Sequence, residues 1–184
     1  NKCINKKTCK IIKAIIPVHA FGADCSIDKI LKVANKYHLE VIEDSAESLG
    51  TWYKNKHTGT FGKLGVFSFN GNKIITTGGG GAIITNNSQL AKKIKHLSTQ
   101  AKLKHKFNFE HNELGYNYRF TDVKATIGLE QLSKLDSILQ RRLKVVSSIK
   151  RLLQPKIKFQ SVPEHVSLHP YYNFKNNVGY GTKE

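Results

Sequence analysis

Residues 26–44 read SIDKILKVANKYHLEVIED, in which a helix pattern runs directly into a strand pattern. Ser26 stands where a helix N-cap is favoured, and apolar side chains follow it at three- and four-residue spacing. These apolar positions are Ile27, Ile30, Leu31 and Ala34. The segment LEVIED at 39–44 is short, apolar and ended by acids, which is typical of a buried strand. The stretch therefore predicts a helix that returns the chain to a sheet.

The residues on either side extend this unit into an α/β domain. IIKAIIPVHA at 11–20 is rich in β-branched residues and nearly continuous in apolar character, which predicts a strand buried on both faces. Strand, helix and strand within about 35 residues form a βαβ unit, whose two strands are parallel. Two further apolar runs at 65–69 and 81–85, and then a helix opened by Ser88, continue the pattern. We expect a mainly parallel sheet flanked by helices.

A long helical pattern occupies the second half of the chain. It begins at the capping residue Thr121, followed by Asp122, and ends before Pro155. The spacing predicts one long helix, or two with a bend, packed against the sheet or against a partner. Beyond residue 160 no clear periodicity remains.

Composition limits the class of protein. The chain has 184 residues, enough for one domain with a sizeable core. Cys3, Cys9 and Cys25 show neither paired spacing nor a histidine cluster, so we expect reduced thiols and no metal site. The sequence lacks a charged and apolar leader, and it lacks an apolar stretch of about 18 residues, which predicts a cytoplasmic protein outside the membrane.

The charge balance raises a second possibility. A net charge of +17 would suit nucleic acid, because clustered Lys and Arg displace counterions from a phosphate backbone. The lysines are scattered along the chain without a reading motif, so we expect no specific nucleic-acid binding. A basic nucleic-acid-binding protein stays as an alternative of a different class.

Polar residues that end strand patterns indicate where chemistry occurs, because ligands of parallel sheets bind beyond the carboxyl ends of strands. Asp44 ends one strand pattern, Ser68 lies on another, and Lys73 follows within SFNGNK before glycines at 78–81. Neither the phosphate loop GxxxxGK[ST] nor GxGxxG fits this spacing. In a pyridoxal-phosphate enzyme a lysine binds the cofactor, an aspartate holds its ring nitrogen and small donors hold its phosphate. All three roles have candidates here, while His19 either faces this site or is structural.

Longer motifs carry a family resemblance. IIPVHAFG, VIEDSAESLGTWYKNKHTGTFGKLGVFSFNGNKIITTGGGGAIITNN and LGYNYRFTDVKATIGLEQLSKLD occur in that order between residues 11 and 136. They resemble the DegT/StrS family of sugar aminotransferases, which have the type I aminotransferase fold. Within the family they are most similar to the branch that aminates UDP-4-keto-sugars on the way to bacillosamine or legionaminic acid.

The resemblance implies a role for each motif residue. Lys73 would be the lysine that binds pyridoxal phosphate and transfers the proton, and Asp44 would pair with the ring nitrogen. Glu47 would lie near the ring oxygen, and Ser68 would bond the phosphate. Asn117, in GYNYR, would reach the phosphate from the neighbouring subunit of a homodimer. The family reaction moves an amino group from glutamate to a nucleotide-linked keto-sugar.

The resemblance also divides the chain. It implies a partial cofactor-binding large domain at 1–120, a helix towards a small domain at 121–159 and a truncated or atypical segment at 160–184. The upstream phosphate loop and the aromatic residue that stacks on the cofactor would then be missing. An active aminotransferase, or a piece of one, and a non-catalytic remnant that still dimerises are therefore both open.

Overall fold

The computed structural model describes residues 3–23, 25–104 and 107–153, together with three short strands further on. The strands in chain order are β1 (Ala14–Ile15), β2 (Glu40–Asp44), β3 (Trp52–Tyr53), β4 (Lys56–His57), β5 (Leu64–Ser68), β6 (Gly81–Ile84), β7 (Lys158–Phe159), β8 (Val166–Leu168) and β9 (Phe174–Lys175). The helices are α1 (Ile27–Tyr37), α2 (Ser88–Ser98), α3 (Asp122–Ser133) and α4 (Leu135–Leu153), and a 3₁₀ turn spans Ala20–Gly22. Within the described ranges no helix is long and apolar enough to cross a membrane.

The main sheet contains the predicted βαβ unit. Its strand order is β1-β2-β5-β6, with β1, β2 and β5 parallel and β6 antiparallel to β5. Helix α1 connects β1 to β2 and buries Ile27 and Ala34 completely or nearly so against Val41 and Tyr53. Ile30 and Leu31 pack around the same cluster. The predicted stripe of α1 is therefore its buried face.

The first strand differs from its prediction. Only Ala14–Ile15 form β1, and Ile16 is 62% exposed. Isolated bridges join Val18 to Asp44 and Ile11 to Ile4. The expectation of a strand buried on both faces over 11–20 is wrong for these residues. The reason is position, because β1 is at the end of the described sheet and has β2 as its neighbour on one side.

The structure confirms where the predicted helices begin, but two of the predicted caps differ from it. Ser26 occupies the N-cap position of α1, but its backbone is left-handed and its side chain makes no capping hydrogen bond. Helix α2 begins at Ser88 as predicted, yet Asn87 is the cap and accepts a hydrogen bond from the backbone N–H of Leu90. Thr121 caps α3, and Lys134 separates α3 from α4. The alternative of two helices is thus the observed one.

A second apolar cluster anchors the loop between β5 and β6. Ile74 and Ile75 are buried against Leu139 of α4, and Leu135 and Ile138 of the same helix add to this cluster. Helix α4 therefore packs beneath the residues that follow Lys73. This contact fixes the backbone from which the Lys73 side chain extends.

Candidate active site

Asp44 and Ser68 end two neighbouring strands at the same edge of the sheet. Asp44 is the last residue of β2, Ser68 is the last residue of β5, and Asp44 is in register with Val66 in this parallel pair. Asp44 Oδ1 accepts a hydrogen bond of 3.1 Å from the backbone N–H of Ala46. Both side chains are half-buried. The topology therefore presents a carboxylate and a hydroxyl at the carboxyl edge of the sheet.

Lys73 lies in the loop after β5 and is directed by its neighbours. Its backbone N–H donates to Asn70 O at 3.1 Å, and the buried pair Ile74 and Ile75 follows it. Its side chain is 13% exposed, and Nζ lies 3.3 Å from Glu47 Oε1. The partly buried Lys73 amine is thus paired with the Glu47 carboxylate.

Glu47 joins three segments of the chain. Its Oε1 contacts Lys73, while its Oε2 accepts a hydrogen bond of 2.7 Å from the backbone N–H of Phe21. Phe21 is left-handed, with φ of 53°, and is about half exposed. A strained backbone at a non-glycine residue persists where the surroundings hold it, and such sites cluster near function.

The glycines on either side of Lys73 in the sequence leave open space beside the backbone. A Cβ built on Gly71 or Gly78 would meet nothing within 4 Å, whereas one on Gly80 would lie 2.4 Å from the Phe120 ring. Gly78 and Gly80 have φ of 75° and 110°, which side-chain-bearing residues rarely adopt. The loop can therefore approach a bound molecule closely on one side and is packed against Phe120 on the other.

Asn117 lies in a different part of the fold. Its backbone bridges to Thr99 after α2, and its exposed side chain accepts a hydrogen bond of 3.4 Å from the backbone N–H of Arg119. None of the contacts described for Asn117 reaches Lys73 or the ends of β2 and β5. The structure thus brings Lys73 to Glu47, places Asp44 and Ser68 at one sheet edge, and leaves Asn117 apart.

His19 and Glu43 form a buried ion pair, and Glu43 directly precedes Asp44 in β2. Both side chains are fully buried, and His19 Nε2 is 3.0 Å from Glu43 Oε2. Burial by itself lowers the pKa of His19, but the nearby Cys25 side chain and the Glu43 carboxylate outweigh it and raise the pKa to about 9.

Glu43 receives further donors from the loop before β5. Backbone N–H groups of Gly59, Phe61 and Gly62 donate to its two oxygens at 2.6 to 2.8 Å. Burial raises the pKa of Glu43, yet the hydrogen bonds from His19 and this loop hold it below its usual value.

The sequence analysis gave His19 two possible positions and gave Glu43 none. The structure buries His19 away from solvent. The available signal for Glu43 was an acid inside an apolar strand pattern, which implies a buried partner.

Comparisons with known proteins match this fold and these motifs. The model of the DegT/DnrJ/EryC1/StrS aminotransferase family matches residues 1–177. GDP-perosamine synthase of Escherichia coli O157:H7 is 37% identical over 169 residues, covering 92% of this chain and 46% of that protein. The chain therefore spans about half the length of this relative.

Solved structures of related enzymes have the same fold. PseC of Helicobacter pylori, an aminotransferase involved in the biosynthesis of pseudaminic acid, superposes with a TM-score of 0.75 at 34% identity, covering 83% of this chain and 40% of PseC. The E. coli GDP-4-keto-6-deoxy-D-mannose-3-dehydratase with bound hydrated PLP superposes with a TM-score of 0.78 at 25% identity, covering 91% and 48%. The predicted α/β fold of this class of enzyme is confirmed.

Proposed function

Because the chain belongs to the DegT/DnrJ/EryC1/StrS aminotransferase family, we propose that it serves pyridoxal-phosphate-dependent transfer of an amino group to a nucleotide-linked 4-keto-sugar. The observation that carries this proposal is the contact of Lys73 with Glu47 in a fold that ends two neighbouring strands with Asp44 and Ser68. Glutamate is the proposed donor, and surface glycan biosynthesis is the proposed context.

The donor set of the site fits the cofactor. An amine that is 13% exposed can bond an aldehyde, and the half-buried Asp44 carboxylate can hold a ring nitrogen protonated. Ser68 and the open backbone beside Gly71 and Gly78 suit a phosphate group, which accepts hydrogen bonds. When bound, the cofactor supplies an electron sink for the donor's α-carbon. Lys73 would then move the proton between that carbon and the cofactor.

Glu47 would orient Lys73 for this task. Its carboxylate holds the Lys73 ammonium from one side and the Phe21 N–H from the other, so it limits the directions that Nζ can take. A reacting group held in one geometry lowers the entropic part of the barrier. The position expected for Glu47 beside the ring oxygen is consistent with this contact.

The substrate class follows from relatives and charge. Similar proteins include GDP-perosamine synthase and, in Helicobacter pylori, a UDP-4-amino-4,6-dideoxy-N-acetyl-beta-L-altrosamine transaminase. We therefore propose a nucleotide-linked 4-keto-hexose, with the UDP-linked sugars predicted from the motifs as one case. A cavity of about 950 Å³ near Asn117 is lined in part by Lys102, Lys104 and Arg119. These cations suit an anionic pyrophosphate and would raise its association rate.

A second copy of the chain would complete the site. Asn117 has its side chain in solvent and lies among exposed apolar residues, which commonly mark an interface. More than two thirds of the side chain is exposed at Phe107, Phe109, Leu114, Tyr118, Val123 and Leu129. We propose a homodimer in which Asn117 of one copy reaches the phosphate bound near Lys73 of the other.

The first experiment tests the cofactor site. The purified chain is mixed with pyridoxal phosphate, reduced with borohydride and mapped by mass spectrometry. We expect a visible absorption band and a label on Lys73, and both should vanish in Lys73→Ala. Lys63→Ala is the matched control, because Lys63 pairs with the exposed Glu40 at the other end of β2. A label spread over surface lysines, unchanged in Lys73→Ala, would refute the assignment.

The second experiment tests the shared site. Lys73→Ala and Asn117→Ala chains are mixed and allowed to exchange, and retained cofactor is measured after gel filtration. Mixed pairs should have one complete site, so retention should return to about a quarter of the parental level in an equal mixture. No recovery on mixing, with Asn117→Ala alone as retentive as the parent, contradicts the shared site.

The alternatives make different predictions. A non-catalytic remnant would show no visible band, and a nucleic-acid binder would give a salt-dependent gel shift. We expect the chain by itself to be a poor catalyst, because positioning of ring and phosphate supplies much of the rate. Turnover of glutamate and a nucleotide-4-keto-hexose within the ordinary range of about 1 to 1000 per second would contradict that expectation.

A further inference from the structure

Residues 19–22, here called the clamp segment, tie the site to the sheet at four points. The backbone N–H of His19 donates to Asp44 O at 3.0 Å, and the His19 side chain bonds Glu43. The backbone N–H of Phe21 donates to Glu47, and Thr51 Oγ1 donates to Gly22 O at 2.9 Å. Both acids proposed to act on the cofactor thus touch this one segment.

His19 is the buried anchor of the clamp segment. Its ring is 0% exposed and bonds Glu43, which in turn fixes the loop before β5 through the N–H groups of Gly59, Phe61 and Gly62. Because successive strand side chains alternate between faces, Glu43 is directed away from the site while Asp44 is directed towards its edge. Displacement of Glu43 must therefore rotate the strand end that carries Asp44.

We propose that the His19–Glu43 pair positions Asp44. The pair fixes the end of β2 to the clamp segment, and this holds the Asp44 carboxylate where it can pair with the nitrogen of a bound pyridinium ring. This inference rests on the proposed function, since it takes Asp44 as the partner of the cofactor ring. His19 and Glu43 touch neither cofactor nor substrate in this scheme. Their effect on cofactor binding passes through Asp44, and a double-mutant cycle with Asp44 separates this effect from their contribution to stability.

A double-mutant cycle tests the action through Asp44. The dissociation constant of pyridoxal phosphate is measured by absorbance well below the unfolding temperature for the parent, Glu43→Gln, Asp44→Asn and the double variant. We expect Glu43→Gln to weaken binding about tenfold in the parent and less than about twofold in the Asp44→Asn background. Glu40→Gln, on the same strand but exposed and paired with Lys63, should leave binding unchanged. Equal weakening in both backgrounds, or none in the parent, overturns the proposal.

Amide hydrogen exchange tests the lock at the end of β2 without the cofactor. Glu43→Gln should speed exchange of the His19 and Asp44 N–H groups about tenfold relative to the Glu40 N–H at the far end of the strand. Unchanged protection at these two amides refutes the lock. If Glu43→Gln fails to fold, His19→Gln/Glu43→Gln replaces it, because the neutral pair leaves no lone buried charge. A parent chain that binds no pyridoxal phosphate would refute the proposed function, and the exchange result would still show whether the His19–Glu43 pair locks the end of β2.

Discussion

Raising the pH from 6.5 towards 9 should destabilise the folded chain through His19. The folded-state pKa of His19 is raised to about 9, whereas an unfolded histidine titrates near 6.5. Between these values the folded protein binds one proton more than the unfolded chain, so the free energy of unfolding falls as the pH rises. The stabilisation is complete below pH 6.5 and is lost as the pH rises through about 9.

The magnitude follows from the shift. A rise from 6.5 to about 9 corresponds to roughly 3 kcal/mol at 1.36 kcal/mol per pH unit. His57 opposes this trend on the acid side, because burial lowers its pKa and its contribution is therefore lost as the pH falls below 6.5. We expect stability to be greatest near pH 6.5. The other charged and titratable neighbours of His19 are Glu43 and Cys25.

Urea denaturation of the cofactor-free chain at pH 5.5, 6.5, 7.5 and 9 measures this effect. With a urea dependence of about 2 kcal/mol per M, the midpoint should fall by about 1.5 M between pH 6.5 and 9. Glu43→Gln should reduce this fall of the urea midpoint with rising pH. Cys25→Ala should also reduce it, because the Cys25 side chain is the first of the two groups that raise the pKa of His19. A midpoint that stays constant or rises from pH 6.5 to 9 would show that His19 is not a buried cation.

Two further predictions concern stability. Gly65→Ala should lower the free energy of unfolding by about 3 kcal/mol or more, because its Cβ would lie 1.9 Å from the Gly59 carbonyl oxygen. Gly71→Ala, in open space, should change the free energy of unfolding by less than about 0.5 kcal/mol. Equal shifts of the melting temperature in the two variants would contradict this prediction. Asn87→Ala should cost about 1 kcal/mol through loss of the α2 cap, while Ser88→Ala should be nearly neutral; the reverse order in urea melts would restore Ser88 as the cap.

The strand-helix-strand unit could be predicted because its signals are local. Three- and four-residue spacing identified α1. Parallel strands bring their carboxyl ends to one edge of a sheet, so the sequence predicted that Asp44 and Ser68 lie at the same edge. The contact of Lys73 with Glu47 required more, since 26 residues separate them. The family motif implied that they share a site, but the partner role of Glu47 came from the structure.

The hairpin of β3 and β4 escaped the sequence analysis for a physical reason. Each strand has two residues, which is too short to show a period, and β3 pairs on its other side with β8, more than 100 residues away. Its turn residues Lys54 and Asn55 both have positive φ, at 48° and 62°. Asn accepts this conformation more readily than Lys does, so half of the turn carried a usable signal.

The two adjacent acids at the end of β2 show where local reasoning stops. Alternation along a strand requires that Glu43 and Asp44 face opposite sides, so at most one could enter the site, but the pattern VIED does not say which. A carboxylate on the buried side is stable only with donors that satisfy it, and those donors come from His19 and from residues 59–62. The choice is therefore made by segments 16 to 24 residues away in sequence. Because His19 and the loop bind Glu43, Asp44 is the acid that remains at the carboxyl edge of the sheet.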